Sequence, residues 1–142
     1  MDPVADVRAL LQQQIARAEA VGVKREQLVL DPGLDFAKSP GDSVEVLRRL
    51  GEVGELGRPL LLAVSNKYFV GVVTNRGPVD RVAGTLAAVD AGVKAGATLV
   101  RVHDVEEVAA FLRMRAALNG DTVDVEDRSP DERLKWLPLE RS

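Results

Sequence analysis

Pro59-Leu-Leu-Leu-Ala-Val64 is an uninterrupted apolar run, and it decides the fold class of this 142-residue chain. A run this short, apolar at consecutive positions, is typical of a strand buried on both faces of a parallel sheet. Similar runs lie about 35 residues away on either side, at Gln27–Leu30 and Thr98–Val102. We therefore predict three short buried strands.

Amphipathic helices flank these strands, each with a capping residue or Pro at its start. The first begins after Asp2 and ends near Gly22, and the second begins at Ser39 and closes around Gly57. The third and fourth open at Pro78 and after Asp104, where Glu107 completes a capping box, and 65–77 is predicted as a loop. The apolar positions of the second and third helices are predicted to be Val44, Leu47, Leu50 and Val53, then Val79, Val82, Ala83, Leu86 and Val93.

Strands that alternate with helices at this spacing run parallel, because each helical crossover returns the chain to the same end of the sheet. The carboxyl ends of the strands then share one edge, where parallel α/β folds bind their ligands. Asp31, the segment Ser65 to Lys67 and the segment Arg101 to His103 all fall at this edge. These residues are the candidate binding residues.

Each candidate also has a structural interpretation. Asp31, directly before Pro-Gly, suits either a turn that bonds its own backbone or an acceptor for an amidine-like ring edge. Lys67 is either a solvated loop lysine or a ligand-binding cation. Arg101 interrupts a predicted buried strand, so its charge needs an anionic ligand or an internal carboxylate. His103 either helps to cap the following helix or belongs to the site.

Composition excludes several classes of function. The chain has no Cys, which excludes disulfides, Cys-ligated zinc and thiol nucleophiles and fits a reducing cytosol, and it has a single His. Residues 1–119 contain 15 acids and 15 bases, so no basic face remains for nucleic acid, and no apolar run approaches the length of a membrane span. We predict a cytoplasmic protein with no nucleic-acid or membrane partner, no metal ligand and no catalytic residue of its own.

The end of the chain differs from the rest. Residues 120–142 hold seven acids and four bases, so we predict one domain over 1–119 and an acidic extension over 120–142. Ser129-Pro-Asp-Glu132 resembles a capping box before Leu134, Trp136 and Leu137. Either a short terminal helix that docks by its Trp or a frayed tail is consistent with this pattern.

Three motifs resemble the dihydropteroate synthase family. The stretch LVLDPGLDFAK at 28–38 is similar to the family's LDPGxGFxK, and PLLLAVSNKYFVG at 59–71 is similar to the strand and loop that carry SRK. RVHDV at 101–105 matches the family's terminal motif. The motifs occur in the family's order and cover roughly residues 4–115. The resemblance implies an α/β fold that is a partial (β/α)8 TIM barrel, with three parallel strands, the sixth to eighth, and their flanking helices.

The family belongs to folate biosynthesis and joins a hydroxymethyl-dihydropterin diphosphate to p-aminobenzoate, with release of diphosphate. The resemblance implies three pairs of binding residues, for the pterin, the diphosphate and the aminobenzoate: Asp31 with Lys67, Arg101 with His103, and Ser65 with Phe36. Cations placed at the leaving diphosphate stabilise the charge that develops there. Mg²⁺ belongs to the complete family site, through an Asn of the N-terminal part, and no cofactor is expected in this chain.

The sequence departs from the family pattern in three ways. Asp35 replaces the second glycine of LDPGxG, which puts a charged side chain where the family leaves room beside the pterin. Asn66 replaces the Arg of SRK, which removes a planar donor fork next to the aminobenzoate site. The N-terminal strands are absent, and a barrel takes about 250 residues. The stretch DPGLDFAK, together with the long acidic C-terminal extension, is similar to the inactive synthase-like paralogue of some actinobacteria.

We therefore expect a pterin-binding domain fragment without activity as an isolated chain. The alternative is a working synthase, completed by an N-terminal half or contained in a longer chain. Unpaired strand edges recruit other chains. The predicted partners are accordingly a pterin or anionic small molecule and either a second copy, giving a homo-oligomer, or a complementing N-terminal half-barrel.

Overall fold

The computed structural model describes residues 2–121 as an α/β fold in which helices and two strands alternate. In this part of the chain six α-helices and two strands are accompanied by two short 3-10 helices, Arg25–Gln27 and Pro78–Asp80. The remaining elements, in chain order, are α1 Pro3–Ala20, α2 Pro40–Arg48, α3 Leu50–Gly54, β1 Leu60–Leu62, α4 Tyr68–Thr74, α5 Val82–Lys94, β2 Ala97–Val100 and α6 Val105–Leu118.

The chain divides into two compact units, one up to Val108 and one from Ala109 onward. The first holds both strands and α1 to α5. In the second, α6 ends where the N–H of Asp121 donates to the carbonyl of Ala116 at 3.0 Å. The predicted capping box at 129–132 and the short helix after it lie outside the described residues, and the boundary at 119/120 stays a prediction. Within 2–121, no helix has the length and apolar character needed to cross a membrane.

β1 and β2 pair in parallel, as the alternation of elements predicts. Leu61 pairs with Leu99 and Leu62 with Val100, and the ladder continues one step further, where the N–H of Arg101 donates to the carbonyl of Leu62 at 2.9 Å. Both strands are shorter than the apolar runs that predicted them. Their carboxyl ends nevertheless lie side by side, as expected for a parallel pair.

The predicted first strand, 27–30, is wrong in extent, because only Leu30 pairs, in a parallel bridge with Leu60. Two prolines explain the difference. In a parallel ladder the next donors on either side of this bridge are the N–H groups of residues 32 and 59, and proline has none. The carbonyl of Leu28, left without the donor at Pro59, accepts instead from Nε of Arg58 at 3.3 Å. The described sheet is therefore two strands and one bridging residue rather than three strands.

The first helix matches its prediction. Asp2 caps α1 by accepting the N–H of Val4 at 3.0 Å, and Pro3 occupies the first helical position. The predicted apolar stripe of α1 is buried at Val4, Val7, Leu11 and Ile15. Helix α1 therefore follows directly from local capping and periodicity.

The second helix is broken at Arg49 into α2 and α3. Its buried face contains Val46, Leu47, Leu50 and Val53, whereas Val44, which was predicted to be buried, is 38% exposed. Ser43 takes the inward position instead, because its hydroxyl accepts the N–H of Asp35 at 3.1 Å. A polar side chain with a specific partner thus displaces the apolar one.

The segment between β1 and α5 departs furthest from the prediction. Helix α4, Tyr68–Thr74, lies where a loop was predicted, and Pro78 opens a short 3-10 helix before α5 begins at Val82. Val79 is 87% exposed, so it does not belong to the apolar face of the third helix. The face of α5 that is buried carries Thr85, Ala88, Val89 and Gly92.

Helix α5 packs on β1 through a glycine. A Cβ built on Gly92 would overlap Cδ2 of Leu62, a fully buried side chain. Gly92→Ala should therefore destabilise the protein by about 1–3 kcal/mol, because the core would have to shift to admit one methyl group. Urea unfolding measures this cost.

Gly51→Ala provides the matched control, since a Cβ at this helical glycine would meet nothing closer than the carbonyl of Ala95 at 3.8 Å. We expect this substitution to leave stability unchanged or to raise it, because alanine favours a helix over glycine. Equal effects of the two substitutions would contradict the close approach of α5 to β1.

The junction of α2 and α3 is tied to the start of α1 by charge. Nη1 and Nη2 of Arg49 donate to the two carboxylate oxygens of Asp2 at 3.0 and 3.1 Å. Arg49 also donates to Glu52 at 2.6 and 2.8 Å. These contacts hold the pKa of Asp2 below its ordinary value. The hydrogen bonds from Arg49 make the largest contribution, and the bond from the N–H of Val4 makes the next largest.

A carboxyl group whose pKa is lowered by folding stabilises the fold above its ordinary pKa, and this contribution is lost as the pH falls through the folded-state value. Asp2→Asn keeps a capping oxygen but removes the charge. We expect wild type to be more stable than Asp2→Asn near neutral pH, and the difference to shrink as the pH falls through the lowered folded-state pKa of Asp2. Urea unfolding over this range measures it, and a difference independent of pH would contradict the Asp2–Arg49 pairing.

Candidate functional site

Four of the six sequence-predicted site residues line one pocket at the carboxyl ends of β1 and β2. The pocket has a volume of about 60 Å³ and is lined by Ala63, Ser65, Lys67, Arg101, Val102 and His103. Three of these residues follow β1 and three follow β2. The parallel pairing of the strands therefore assembles the pocket from segments almost forty positions apart.

Arg101 is an exposed cation at this pocket. The sequence predicted it inside a buried strand, which is wrong, because β2 ends at Val100 and the side chain of Arg101 is exposed. Only its backbone continues the ladder, through the N–H that donates to Leu62. Within the described part of the chain its guanidinium has no carboxylate partner. The internal carboxylate that would have neutralised it is thus not found there.

Ser65 and His103 contact each other across the pocket. Ser65 is 7% exposed. Its Oγ lies 3.1 Å from the backbone N of His103 and 3.1 Å from Nδ1 of the same residue. Two hydrogen bonds therefore join the segment after β1 to the segment after β2.

Lys67 reaches back to the turn that follows Leu30. Its Nζ donates to the carbonyl of Leu34 at 2.9 Å and lies 4.3 Å from the centre of the Phe36 ring, in a cation–π contact. Lys67 therefore links the pocket to Phe36, which does not line it. Phe36 is 66% exposed and lines a different pocket, of about 300 Å³, together with α1 residues such as Val7 and Leu10.

Asp31 adopts the turn geometry that was its structural interpretation. Its Oδ1 accepts the N–H of Gly33 at 2.8 Å, and Gly33 has a positive φ of 63°. The side chain is at the surface and does not line the 60 Å³ pocket. The structure thus places Asp31 at the same edge as the pocket. Lys67 contacts the same turn through the carbonyl of Leu34.

Lys38 is a structural residue of this turn that the sequence reasoning did not assign. Its Nζ donates to the carbonyls of Gly33 at 2.9 Å and Phe36 at 3.2 Å. Burial lowers the pKa of Lys38 below its usual value, while the nearby Asp31 carboxylate opposes that effect. The signal was available, because Lys38 is the last residue of the stretch that resembles LDPGxGFxK.

Asp35 has a role that its sequence position did not reveal. Its carboxylate accepts the N–H groups of Tyr68 at 2.5 Å and Phe69 at 3.2 Å and so caps α4. Its φ is 68°, a left-handed value that favours glycine and that Asp tolerates better than most residues. A left-handed φ is one that glycine, the residue of the family pattern at this position, adopts readily, and the carboxylate of Asp35 adds a cap to α4.

Asn66 is held within the protein rather than presented at the pocket. Its φ is 54°, its side-chain oxygen accepts the hydroxyl of Thr85 at 3.3 Å, and its Nδ2 donates to Asp104 at 3.2 Å. The carbonyl of Asn66 accepts Nη1 of Arg81 at 2.8 Å. Both ends of the Asn66 amide are therefore engaged by neighbouring elements.

Over the residues that the structure describes, no group of three or more His, Asp or Glu side chains has an arrangement that would hold a metal ion. The chemistry that the pocket offers is that of hydrogen-bond donors and positive charge.

Parallel strands flanked by helices, with donors and cations gathered at their carboxyl ends, define an α/β fold, and this edge is where such folds bind their ligands. A model of the Pterin binding enzyme family matches residues 1–103. The chain belongs to this family.

Individual relatives agree with the family. The dihydropteroate synthase of Escherichia coli K12 is 38% identical over 113 residues, which are 80% of this chain and 40% of the relative. The inactive dihydropteroate synthase 2 of Mycobacterium leprae is 37% identical over 117 residues, with 82% of this chain and 40% of the relative covered. Identity alone therefore does not separate a working synthase from an inactive one.

Solved structures give the fold. The dihydropteroate synthase of Xanthomonas albilineans in complex with 7,8-dihydropteroate has a TM-score of 0.81 and 39% identity, covering 83% of this chain and 45% of that one. The same enzyme with 4-aminobenzoic acid also has a TM-score of 0.81. The resemblance to dihydropteroate synthase is confirmed, and this chain, a dihydropteroate synthase-like pterin-binding domain, spans about two fifths of the length of the curated relatives it matches.

Substitutions of Asp35 test whether its carboxylate caps α4. Asp35→Gly should cost about 1 kcal/mol, because the cap is lost while the left-handed backbone is eased. Asp35→Ala should cost about 2 kcal/mol, because it loses the cap and leaves a Cβ in the left-handed region without the side-chain oxygen. Urea unfolding measures both.

Asp80→Ala serves as the control, since Asp80 is an exposed carboxylate next to the same segment and makes no helix cap for α4. Its effect on stability should stay within about 0.5 kcal/mol. An Asp35→Gly protein more stable than wild type would contradict the capping role.

Proposed function

We propose that this chain binds the pterin and anionic portions of the substrate of a dihydropteroate synthase-like site, and does so without turnover as an isolated chain. The observation that carries the proposal is the exposed guanidinium of Arg101, which has no carboxylate partner in the described residues and lines a pocket with Lys67 and His103. A pocket of about 60 Å³ suits one tetrahedral oxyanion group rather than a whole pterin.

The proposed roles follow the family resemblance. Arg101 and His103 would bind the diphosphate, and Lys67 with the Asp31 carboxylate would hold the pterin ring at the neighbouring turn. The contact between Lys67 and Leu34 supports this division, because it ties the anion pocket to the turn that carries Asp31. Phe36 and Ser65, the pair that the family resemblance implies for p-aminobenzoate, would bind that substrate.

Two observations support binding without turnover. The chain spans about two fifths of its curated relatives, so the rest of a complete site would have to come from elsewhere. In addition, Asn66 replaces the Arg of SRK and bonds to Thr85 and Asp104 rather than offering donors to a ligand. An aminobenzoate carboxylate would therefore lack one of the donors that the family pattern provides.

The second candidate function is a working synthase, active when an N-terminal half completes the barrel. The exposed edge of β2 favours it. Leu99 on β2 is 44% exposed, and no strand among residues 2–121 pairs with the outer edge of β2. Such edges recruit further strands, so either a complementing half-barrel or a second copy of this chain is a proposed partner.

Calorimetric titration with inorganic diphosphate tests the binding proposal. We expect wild type to bind, and Arg101→Ala to weaken binding by about tenfold to a hundredfold, the usual cost of a charge-assisted hydrogen bond. Arg17→Ala, which removes an equal charge from an exposed site on α1, should bind like wild type. No heat of binding at millimolar diphosphate and pterin would overturn the proposal.

An assay of diphosphate release distinguishes the two candidate functions. With a pterin diphosphate and p-aminobenzoate, we expect no turnover by the isolated chain. Turnover that appears only after addition of a separately produced N-terminal half of a relative would favour the second candidate. Turnover by this chain alone would contradict the proposal that it binds without catalysis.

A further inference from the structure

The contact between Ser65 and His103 bears on which ring nitrogen of His103 carries the proton. His103 is the chain's single histidine. Oγ of the buried Ser65 lies 3.1 Å from both the backbone N and the ring Nδ1 of His103. One hydroxyl therefore faces two nitrogen atoms of the same residue.

Hydrogen-bond accounting assigns a direction to each contact. A backbone N–H can only donate, so Oγ of Ser65 accepts from the N–H of His103. The hydroxyl proton of a buried serine needs an acceptor of its own, since an unsatisfied buried donor is costly. Among the described residues, Nδ1 of His103 is the acceptor within reach. Nδ1 then carries no proton, and the proton of the neutral imidazole lies on Nε2.

We propose that Ser65 is a positioning residue that holds His103 in the Nε2–H tautomer, so that the ring serves as a neutral hydrogen-bond donor beside Arg101. This role differs from the aminobenzoate contact that the family resemblance implies for Ser65. The identity of the bound anion rests on the proposed function. The assignment of the tautomer does not depend on the proposed function.

The neighbouring contacts separate this role from simple cross-linking of the two segments. Asn66 and Asp104, each next in sequence to one member of the pair, are also hydrogen-bonded, at 3.2 Å. The segments therefore stay joined without Ser65. What Ser65 adds is a bond to the ring, which orients the imidazole and selects the nitrogen that donates.

Nitrogen NMR of the histidine ring tests the tautomer directly, because a single histidine gives unambiguous resonances. The protein is labelled with ¹⁵N-histidine and measured at about pH 8.5, two units above the ordinary pKa of imidazole. We expect Nδ1 of wild type to carry no proton and to resonate upfield of a free acceptor nitrogen, since it accepts a hydrogen bond. Ser65→Ala should abolish this displacement, and Ser65→Thr, which keeps a hydroxyl, should retain it.

Thr98→Val is the matched control. It removes a hydroxyl from the opposite end of β2, where Oγ1 of Thr98 donates to Leu60 at 3.3 Å, and it should leave the histidine resonances unchanged. A protonated Nδ1 in wild type, or the same Nδ1 resonance in wild type and Ser65→Ala, would overturn the proposal.

Diphosphate titration tests the consequence for binding. Ser65→Ala should lower the affinity for inorganic diphosphate by about tenfold, and it should have almost no effect in a His103→Ala background, because Ser65 acts through the ring. An equal loss in both backgrounds would overturn the positioning role. If wild type binds no diphosphate, the proposed function fails, while the NMR measurement still decides the role of Ser65.

Discussion

The parallel hydrogen bonds between β1 and β2 are the constraint on which the rest of the site depends. They continue past the end of β2 to the N–H of Arg101, which donates to the carbonyl of Leu62. Because the strands run in the same direction, the residues that follow each strand emerge at the same edge. Lys67, Arg101 and His103 meet at one pocket for this reason. Without the pairing they would be unrelated polar residues on separate loops.

The fold follows from the sequence where its causes are local. The cap at Asp2, the apolar stripe of α1 and the alternation of strands with helices all act over a few residues, and the structure agrees with them. The predicted strand at 27–30 was too long because the apolar pattern does not show which backbone N–H donors of the ladder are missing. The prolines at positions 32 and 59 were visible, but their effect depends on the register with β1, which only the folded chain defines.

Contacts between distant residues account for what the sequence reasoning missed. Helix α4 is capped by the carboxylate of Asp35, which lies more than thirty positions earlier in the chain. The sequence of α4 itself therefore contains no capping residue that would predict the start of the helix. The two departures from the family pattern are both integrated into the fold: Asp35 caps α4, and Asn66 bonds to Thr85 and Asp104. Their consequences are therefore unequal. Asp35 has a left-handed φ that glycine also adopts readily, whereas Asn66 replaces a potential ligand donor with a structural amide.

The proposed function requires the segments after β1 and β2 to form one anion-binding edge. The most direct measurement is a map of backbone amide chemical shifts as inorganic diphosphate is added to the ¹⁵N-labelled chain. We expect the largest changes to occur together at 63–67 and 101–103, with smaller changes at the turn after Leu30. Changes confined to only one of these two segments, or centred elsewhere in the chain, would contradict it.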